Sequence, residues 1–121
     1  MTLTKAEEQV MRYLWKLEKA FFKELKEQFP DPKPATTTIN TLLKRMIDKG
    51  FINYKVYGNS REYYPLINKN EYLAKHVNGL IKNFFNNSAE QFASFFTHET
   101  DLSETDLKKL RDIVDMQLKS K

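Results

Sequence analysis

Apolar residues recur at helical spacing near the start of the chain. A capping box marks where this helix is predicted to begin. Thr4 is followed three residues later by Glu7, the pairing of hydroxyl and carboxylate that begins many helices, and the pattern extends to about Leu17. Met11 and Trp15 lie off the main apolar stripe, so this helix is predicted to pack on two sides, with Trp15 as a buried packing residue. The expected inner face is Leu3, Ala6, Val10, Tyr13, Leu14 and Leu17.

Two further helices are predicted before the middle of the chain. A short one covers residues 21–29 and is stopped by the prolines of residues 30–34, which cannot continue a helix. The next covers residues 35–50, with Thr36 as the expected N-cap and Gly50 at the C-terminal end. Its apolar face consists of Ile39, Leu42, Leu43, Met46 and Ile47.

After the third helix the spacing of apolar residues changes from helical to alternating. Residues 51–57 and 62–67 are predicted strands, and residues 58–60, Gly-Asn-Ser, are the turn between them. Lys55 and Arg61 lie near the tip of this hairpin. Three helices followed by a hairpin is the element order of a winged helix-turn-helix, whose third helix enters the major groove of DNA while the wing lies near the backbone.

The remainder of the chain is predicted to be helical. Asn68 with Glu71 indicates a helix start, residues 86–88 break that helix, and Ser103 with Asp106 caps a later one. The first of these helices is expected to bury Leu73, Val77, Leu80, Ile81 and Phe84, the second carries Phe92, Phe95 and Phe96, and the third carries Leu107, Leu110, Ile113, Val114 and Leu118.

These C-terminal helices carry more large apolar side chains than three short helices can bury among themselves. We therefore expect a partner chain to cover them, with dimerisation residues Leu73, Val77, Leu80, Phe84, Leu107, Leu110 and Val114. The alternative is a compact monomeric bundle. The predicted fold is mainly α with a small β wing: a winged helix-turn-helix DNA-binding domain over residues 1–67, followed by a helical dimerisation domain over residues 68–121.

The face of the third helix opposite its apolar side carries short polar groups followed by cations. Thr37, Asn40 and Thr41 come first, and Lys44 and Arg45 follow. Short amides and hydroxyls suit base edges in a groove, whereas cations suit the flanking phosphates. Two alternatives stay open: an ordinary solvated face, and a winged helix that binds an acidic protein partner.

The distribution of charge favours a polyanion partner for the first half of the chain. Residues 1–67 contain 12 Lys and Arg against 8 Asp and Glu, whereas residues 68–121 contain 8 of each. Within residues 33–61 the only acid is Asp48. A basic region beside a neutral one is typical of a nucleic-acid-binding module joined to a module with another role. The cations of this region are Lys33, Lys44, Arg45, Lys49, Lys55 and Arg61.

No residue pattern indicates an enzyme, a cofactor or a metal site. The chain has no cysteine, its glycines are isolated, and His76 and His98 are far apart in sequence, so we expect packing or surface roles for both histidines. No run is apolar enough to span a membrane, and the charged N-terminus does not resemble a signal peptide. The expected location is the cytoplasm.

Three motifs in order resemble the penicillinase repressor family, the BlaI/MecI/CopY transcriptional regulators. They are AEEQVMRYLW in residues 6–15, TTINTLLKRMIDKGFI in residues 37–52 and YGNSREYYPLI in residues 57–67. The resemblance covers the whole chain and is strongest over residues 6–72. The matching positions are Ala6, Glu7, Val10, Met11, Leu14, Trp15, Thr38, Thr41, Leu42, Arg45, Lys49, Gly50, Gly58, Arg61, Tyr64 and Pro65.

The resemblance implies a homodimeric repressor that binds double-stranded DNA at an inverted-repeat operator. Copper-responsive members bind metal through C-terminal cysteines, which this chain lacks, so copper sensing is not expected. From the helix face, the wing and the resemblance together, the candidate DNA-binding residues are Thr36, Thr37, Thr38, Asn40, Thr41, Lys44, Arg45, Lys55 and Arg61.

The resemblance also implies a way of ending repression. In penicillinase-type relatives a signalling protease cuts the dimerisation domain at an Asn-Phe bond, in the stretch that corresponds here to residues 93–97. This chain has Ser94-Phe95 and Phe95-Phe96 instead, so cleavage is expected between Ser94 and Phe96. The alternative is that these phenylalanines only pack in the core and that another signal releases the repressor.

Overall fold

The computed structural model describes residues 2–121, which form six α-helices and three short β-strands. The chain divides into two compact units, one ending at Leu73 and the other comprising Ala74–Lys121. The fourth helix contains this division. The assignment of DNA binding to residues 1–67 and of dimerisation to residues 68–121 remains a prediction.

The first unit has the element order that the sequence predicts, with one added strand. Its elements are α1 (Lys5–Leu17), β1 (Ala20–Phe21), α2 (Phe22–Glu27), α3 (Thr36–Asp48), β2 (Ile52–Tyr57) and β3 (Ser60–Pro65). The three strands form an antiparallel sheet in the order β1-β3-β2. Strand β1 was not predicted, because two residues are too few to show an alternating pattern.

Helix α1 begins as predicted, and both halves of its capping box are formed. The Glu7 amide donates to Thr4 Oγ1 over 3.2 Å, and the Thr4 amide donates to Glu7 Oε1 over 2.8 Å. Val10, Met11 and Leu14 are fully buried, so the helix packs on both of its apolar sides. The prediction for the inner face was wrong at one position: the small Ala6 side chain is exposed, and the neighbouring Glu7 side chain is buried instead.

Two helix boundaries differ from the prediction. Helix α2 ends at Glu27, earlier than the apolar spacing indicated, although Phe29 is still buried. The N-cap of α3 is Ala35 rather than Thr36, whose hydroxyl accepts a hydrogen bond from Lys26 Nζ over 3.0 Å. Gly50 has a φ of +82°, a left-handed conformation that glycine adopts without strain after the end of a helix.

One hydrophobic core lies between the three helices and the sheet of the first unit. It includes the predicted apolar face of α3, with Ile39, Leu43 and Met46 essentially inaccessible to solvent. The other core residues are Val10, Met11, Leu14, Ala20, Leu25, Phe29, Leu42, Ile52 and Tyr63. Because α3 is anchored through this face, its opposite face is held toward solvent.

The second unit contains most of α4 (Lys69–Phe84), with α5 (Ala89–Glu99) and α6 (Glu104–Lys119). The predicted break after α4 is confirmed, since Asn86 and Asn87 have φ values of 52° and 58°. Ser88 caps α5, and Ser103 forms a capping box with Asp106 at the start of α6. A cluster of Phe85, Phe92, Phe95 and Phe96 rings lies between α4 and α5.

The single chain leaves most of the predicted dimerisation residues exposed. The exposed fractions are 43% for Leu73, 37% for Val77 and 74% for Phe84. The expectation that α4 buries these residues is therefore wrong for the chain alone, since their side chains are exposed within residues 2–121. Leu80, Leu107, Ile113, Val114, Met116 and Leu118 are also exposed, whereas Ile81 and Leu110 are half-buried. No helix within residues 2–121 is both long and apolar enough to cross a membrane.

Candidate nucleic-acid interface

The polar side of α3 is an exposed surface, as its position opposite the buried side requires. Every candidate DNA-binding residue on this helix is exposed: Thr36, Thr37, Thr38, Asn40, Thr41, Lys44 and Arg45. The helix thus combines a side fixed in the core with a side that carries hydroxyls, an amide and two cations. Such a helix can present its polar groups to a partner without losing its anchor.

Hydrogen bonds within the unit orient two of the threonine hydroxyls. Thr41 Oγ1 donates to the Thr37 carbonyl oxygen over 2.9 Å, one helical turn away. The Thr41 hydroxyl therefore keeps lone pairs that can accept from a donor such as a base amino group. Thr36 is already paired with Lys26, so its hydroxyl is less available than those of the later threonines.

The wing is formed by β2 and β3, joined by a tight turn at Gly58 and Asn59. Gly58 has a φ of +62°, which glycine adopts more readily than other residues and which two-residue hairpin turns commonly require. The predicted turn and hairpin are confirmed, although β3 begins earlier than predicted, at Ser60. Lys55 and Arg61 are exposed on these strands.

The strand register places Arg61 beside Tyr54. Tyr54 pairs with Tyr63, and Val56 pairs with Arg61, so Tyr54 and Arg61 are diagonal neighbours on one face of the hairpin. The Arg61 Cζ atom lies 4.4 Å from the centroid of the Tyr54 ring, within the range of a cation–π interaction. The Arg61 guanidinium is therefore held against the ring instead of moving freely.

An open groove of about 810 Å³ lies between α2, α3 and the wing. It brings together three of the predicted residues, Asn40 and Lys44 from α3 and Arg61 from β3. Its other lining residues include Lys23 of α2 and Tyr54 of β2, which the sequence analysis did not select as candidates. A contact between the rings of Phe21 and Tyr57, with centroids 6.0 Å apart, joins the wing to the residue that precedes α2.

Two cations of the basic region have partners within the protein. Lys33 Nζ donates to the backbone carbonyl oxygens of Phe29 and Glu27 over 2.8 and 3.2 Å, and lies 3.8 Å from Asp31. Lys49 Nζ lies 2.6 Å from Glu7 Oε1. The other four cations of the basic region, Lys44, Arg45, Lys55 and Arg61, are exposed. Lys44 and Arg61 line the groove together with Lys23.

The ion pair of Glu7 and Lys49 connects α1 to the end of α3. Burial of the Glu7 side chain tends to raise its pKa, but hydrogen bonds from Lys49 and Thr4 outweigh that effect, so the pKa of Glu7 is lowered. Lys49 Nζ also donates to the Thr2 carbonyl oxygen over 3.1 Å. Glu7 Oε2 is buried without a hydrogen-bond partner. This pair holds the C-terminal end of α3 against α1.

Trp15 packs against the core as predicted, although its side chain is half-buried and not fully buried. Its indole Nε1 donates to the Ile67 carbonyl oxygen over 2.9 Å, and its ring contacts Tyr72, with ring centroids 5.6 Å apart. The Tyr72 hydroxyl donates to Glu8 Oε2 over 2.7 Å. Burial, together with this carboxylate, raises the pKa of Tyr72 to about 12. These contacts fix the first turn of α4 to α1.

Both histidines lie in the second unit. His76 and His98 are exposed on different helices, and His98 Nδ1 lies 2.9 Å from the Ser94 carbonyl oxygen. Within residues 2–121, no three His, Cys, Asp or Glu side chains lie close enough together to hold a metal ion.

The predicted cleavage residues lie in the middle of α5. Ser94 and Phe95 are exposed and Phe96 is half-buried. The Phe95 ring lies 5.3 Å from that of Phe85, and Phe96 stacks on Phe92 with centroids 6.0 Å apart. This segment is regular helix.

The helices, the hairpin and their order define the first unit as a winged helix-turn-helix. The model of the penicillinase repressor family matches residues 3–116, nearly the whole chain. The protein therefore belongs to the penicillinase repressor family.

Relatives with assigned roles are similar over most of their length. The methicillin resistance regulatory protein MecI of Staphylococcus aureus (strain N315) is 26% identical over 113 residues, which cover 93% of this chain and 92% of MecI. The penicillinase repressor of Bacillus licheniformis is 26% identical over 114 residues, covering 93% and 89%. These relatives are a regulatory protein and a repressor, so family membership supports a role that is not enzymatic.

A solved structure is similar to part of the chain. The DNA-binding domain of the repressor BlaI matches with a TM-score of 0.53 and 29% identity. The match covers 59% of this chain and 88% of that domain. The winged helix-turn-helix predicted from the sequence is confirmed.

Proposed function

We propose that this protein is a homodimeric transcriptional repressor that acts in the cytoplasm and binds an inverted-repeat operator through the exposed side of α3. The observation that carries the proposal is the polar side of α3, which stands beside the cations of the wing in a winged helix-turn-helix. Membership of the penicillinase repressor family and the likeness to the DNA-binding domain of BlaI support it.

The order of side chains along α3 supports a division of tasks. Asn40 can make paired hydrogen bonds to an adenine edge, and the Thr41 hydroxyl can accept from a base or contact a thymine methyl group. Thr37 and Thr38 lie in the first turn of the same helix and are exposed. Base recognition is thereby assigned to the first half of α3.

Phosphate contacts are assigned to cations at the edges of the same surface. Lys44 and Arg45 follow the base-contacting residues on α3, and Lys55 and Arg61 are exposed on the wing. Side chains that flank a helix in the major groove lie near the sugar-phosphate strands on either side. These residues supply affinity for any duplex, while Asn40 and Thr41 supply sequence preference.

The exposed apolar side chains of the C-terminal helices support a homodimer. Val114 is 56% exposed and Phe84 is 74% exposed in the single chain, as are similar side chains along α4 and α6. A second copy that packs on these helices removes this apolar surface from water. A twofold dimer then presents two copies of α3 to the two halves of an inverted repeat.

Two substitutions on α3 test this assignment by separating base contacts from phosphate contacts. Lys44→Ala should weaken binding to every duplex and reduce the magnitude of the salt slope by about 0.9, because one fewer phosphate is neutralised. Asn40→Ala should leave the slope unchanged and relax preference at one base pair, by about 1 to 3 kcal/mol. Titrations of operator and random duplexes over a range of salt concentrations measure both quantities.

The two variants serve as controls for each other, since both residues are exposed on one helix. Equal losses on specific and random DNA for both variants would contradict the division of tasks. If neither variant changes DNA binding while both weaken binding to an acidic polypeptide, the rival hypothesis of an acidic protein partner would be correct.

Release of repression is proposed to occur by cleavage of α5 between Ser94 and Phe96. Proteases bind extended substrates, so this helical segment must unfold locally before it can be cut. Phe95 and Phe96 then leave the ring cluster that joins α5 to the end of α4. Loss of the dimer lowers affinity, because two linked half-site binders gain from their high effective concentration and a single one does not.

Mass spectrometry of the protein recovered from induced cells tests the cleavage proposal. A fragment that ends at Ser94 or Phe95 is the expected product. Full-length chain in fully derepressed cells would show that another signal is used and that the phenylalanines serve only in packing.

A further inference from the structure

The groove between α2, α3 and the wing has the chemistry of a site for a phosphate backbone. Three cations, Lys23, Lys44 and Arg61, line it, and the described lining contains no aspartate or glutamate. Asn59 and Ser60 of the hairpin turn add polar groups at one end. A surface with several cations and no acid favours an anion with more than one charge.

Arg61 is the best-positioned cation of this groove. The hairpin register makes it a diagonal neighbour of Tyr54, and its guanidinium lies 4.4 Å from the centre of that ring. Tyr54 is itself held by the ring of Tyr63, with centroids 5.7 Å apart, and Tyr63 belongs to the core. The guanidinium is thus connected through two rings to the rigid part of the unit.

Lys23 stands on the side of the groove formed by α2. Its side chain is exposed, and the sequence pattern does not distinguish it from other surface lysines. Together with Arg61 of the wing it supplies charge from two different elements, with Lys44 of α3 as the third. An occupant of the groove would therefore be attracted from the helical side and from the wing side.

We propose that this groove binds one sugar-phosphate strand of the operator, with Lys23 as a phosphate contact and Tyr54 as the residue that positions Arg61. The inference rests on the proposed DNA-binding function and extends it to two residues. A prepositioned guanidinium loses less side-chain entropy on binding than a free one, so Tyr54 contributes affinity without contacting DNA.

Salt-dependent binding to random duplex DNA tests the role of Lys23. Lys23→Ala should reduce the magnitude of the salt slope by about 0.9. Lys5→Ala is the matched control, because Lys5 is an exposed lysine of α1 that does not line the groove. A Lys23→Ala slope equal to that of the control would overturn the proposal. So would a Lys23→Ala variant that binds DNA normally but binds poly-glutamate more weakly.

A double-mutant cycle tests the role of Tyr54. Arg61→Ala and Tyr54→Leu should each weaken binding, and the double variant should bind no more weakly than Arg61→Ala alone, because Tyr54 acts through Arg61. Tyr54→Phe keeps the ring and should bind as the wild type does. Additive losses in the double variant, or full binding by Tyr54→Leu, would show that Tyr54 has no positioning role.

A substitution at the exposed Arg61 keeps the test decisive if Tyr54→Leu disturbs the wing. Arg61→Lys retains the charge but removes the planar guanidinium that stacks on Tyr54, so it should bind more weakly than the wild type. Equal binding by Arg61→Lys would refute the positioning role. If Arg61→Ala, Lys44→Ala and Lys23→Ala all bind DNA as the wild type does, the proposed function itself fails, and this outcome is distinct from failure at Tyr54 alone.

Discussion

Lys44 and Lys49 lie close together in sequence, but their ammonium groups have different surroundings. Lys44 is exposed beside the groove, whereas Lys49 is paired with the fully buried Glu7. The sequence pattern around α3 identifies both residues only as cations, one on the helix and one just after it. The partner of Lys49 comes from α1, far away in sequence, and no helical periodicity can reveal such a pair.

This difference predicts unequal effects on stability for two similar substitutions. Lys49→Met should lower the free energy of unfolding by about 3 kcal/mol, because it leaves a buried carboxylate without its cation. Lys44→Met is the matched control and should change it by less than about 0.5 kcal/mol, as surface substitutions usually do. Urea unfolding at neutral pH measures both, and equal effects would show that the ion pair is not important for stability.

The pH dependence of the unfolding free energy also tests the ion pair of Glu7 and Lys49. The pKa of Glu7 is lowered in the folded protein, so its contribution is present above the ordinary value of 4.5 and is lost as the pH falls through the folded pKa. In Lys49→Met the buried carboxylate is unpaired, and its pKa should rise above that value. The variant should therefore gain stability relative to the wild type on acidification from about pH 7 to about pH 5. If the difference in unfolding free energy between the variant and the wild type does not change with pH, this description of Glu7 is contradicted.

Helix starts were the elements that the sequence predicted best. Thr4, Asn68 and Ser103 each accept a hydrogen bond from a backbone amide at the start of a helix, and capping is a local interaction. Elements that depend on distant residues were missed or displaced. Strand β1 exists because it pairs with β3, and no local pattern records that pairing.

The exposure of the candidate residues on α3 could be predicted from the sequence. Asn40 and Lys44 belong to one helix whose two sides alternate with a fixed period, so their exposure follows from the spacing of Ile39 and Leu43. The position of Lys23 in the groove depends on how α2 packs beside α3 and the wing. That packing is tertiary, and so the groove could not be found from periodicity.

Helix α4 provides a prediction at the scale of a single element. Gly79 lies within this helix, and a Cβ atom added there would have no neighbour within 4 Å in the single chain. Gly79→Ala should raise the stability of the helix by about 0.5 to 1 kcal/mol, because alanine restricts the unfolded chain more than glycine does. Thermal unfolding compares it with Ala74→Gly on the same helix, which should have the opposite sign. Destabilisation by Gly79→Ala would mean that a partner chain packs closely against this position.

For the whole molecule, the apolar side chains of α4 and α6 predict an obligatory partner. A carboxylate at Val114 should produce monomers, because in the dimer it would be buried without a cation. Leu110 is half-buried in the single chain, so a carboxylate there should produce monomers or unfolded protein. Sedimentation at micromolar concentration distinguishes these states.

The control for this substitution is a charge change on the same helix. Lys109→Glu alters the charge at an exposed polar position of α6 and should leave the dimer intact. A wild-type chain that sediments as a monomer and still binds an inverted repeat tightly would contradict the dimer proposal. Monomers from both variants would show that net charge, not the apolar surface, controls association.

Selection of duplexes from a random DNA pool by the wild-type protein tests the central claim most directly. We expect enrichment of inverted repeats whose half-sites lie about one helical turn apart, or a multiple of it, since a twofold dimer carries two copies of α3. The Asn40→Ala variant, selected in parallel, should lose preference at one position in each half-site. A pool that shows no enrichment, or enriches single sites without twofold symmetry, would contradict the proposal that this protein is a homodimeric operator-binding repressor.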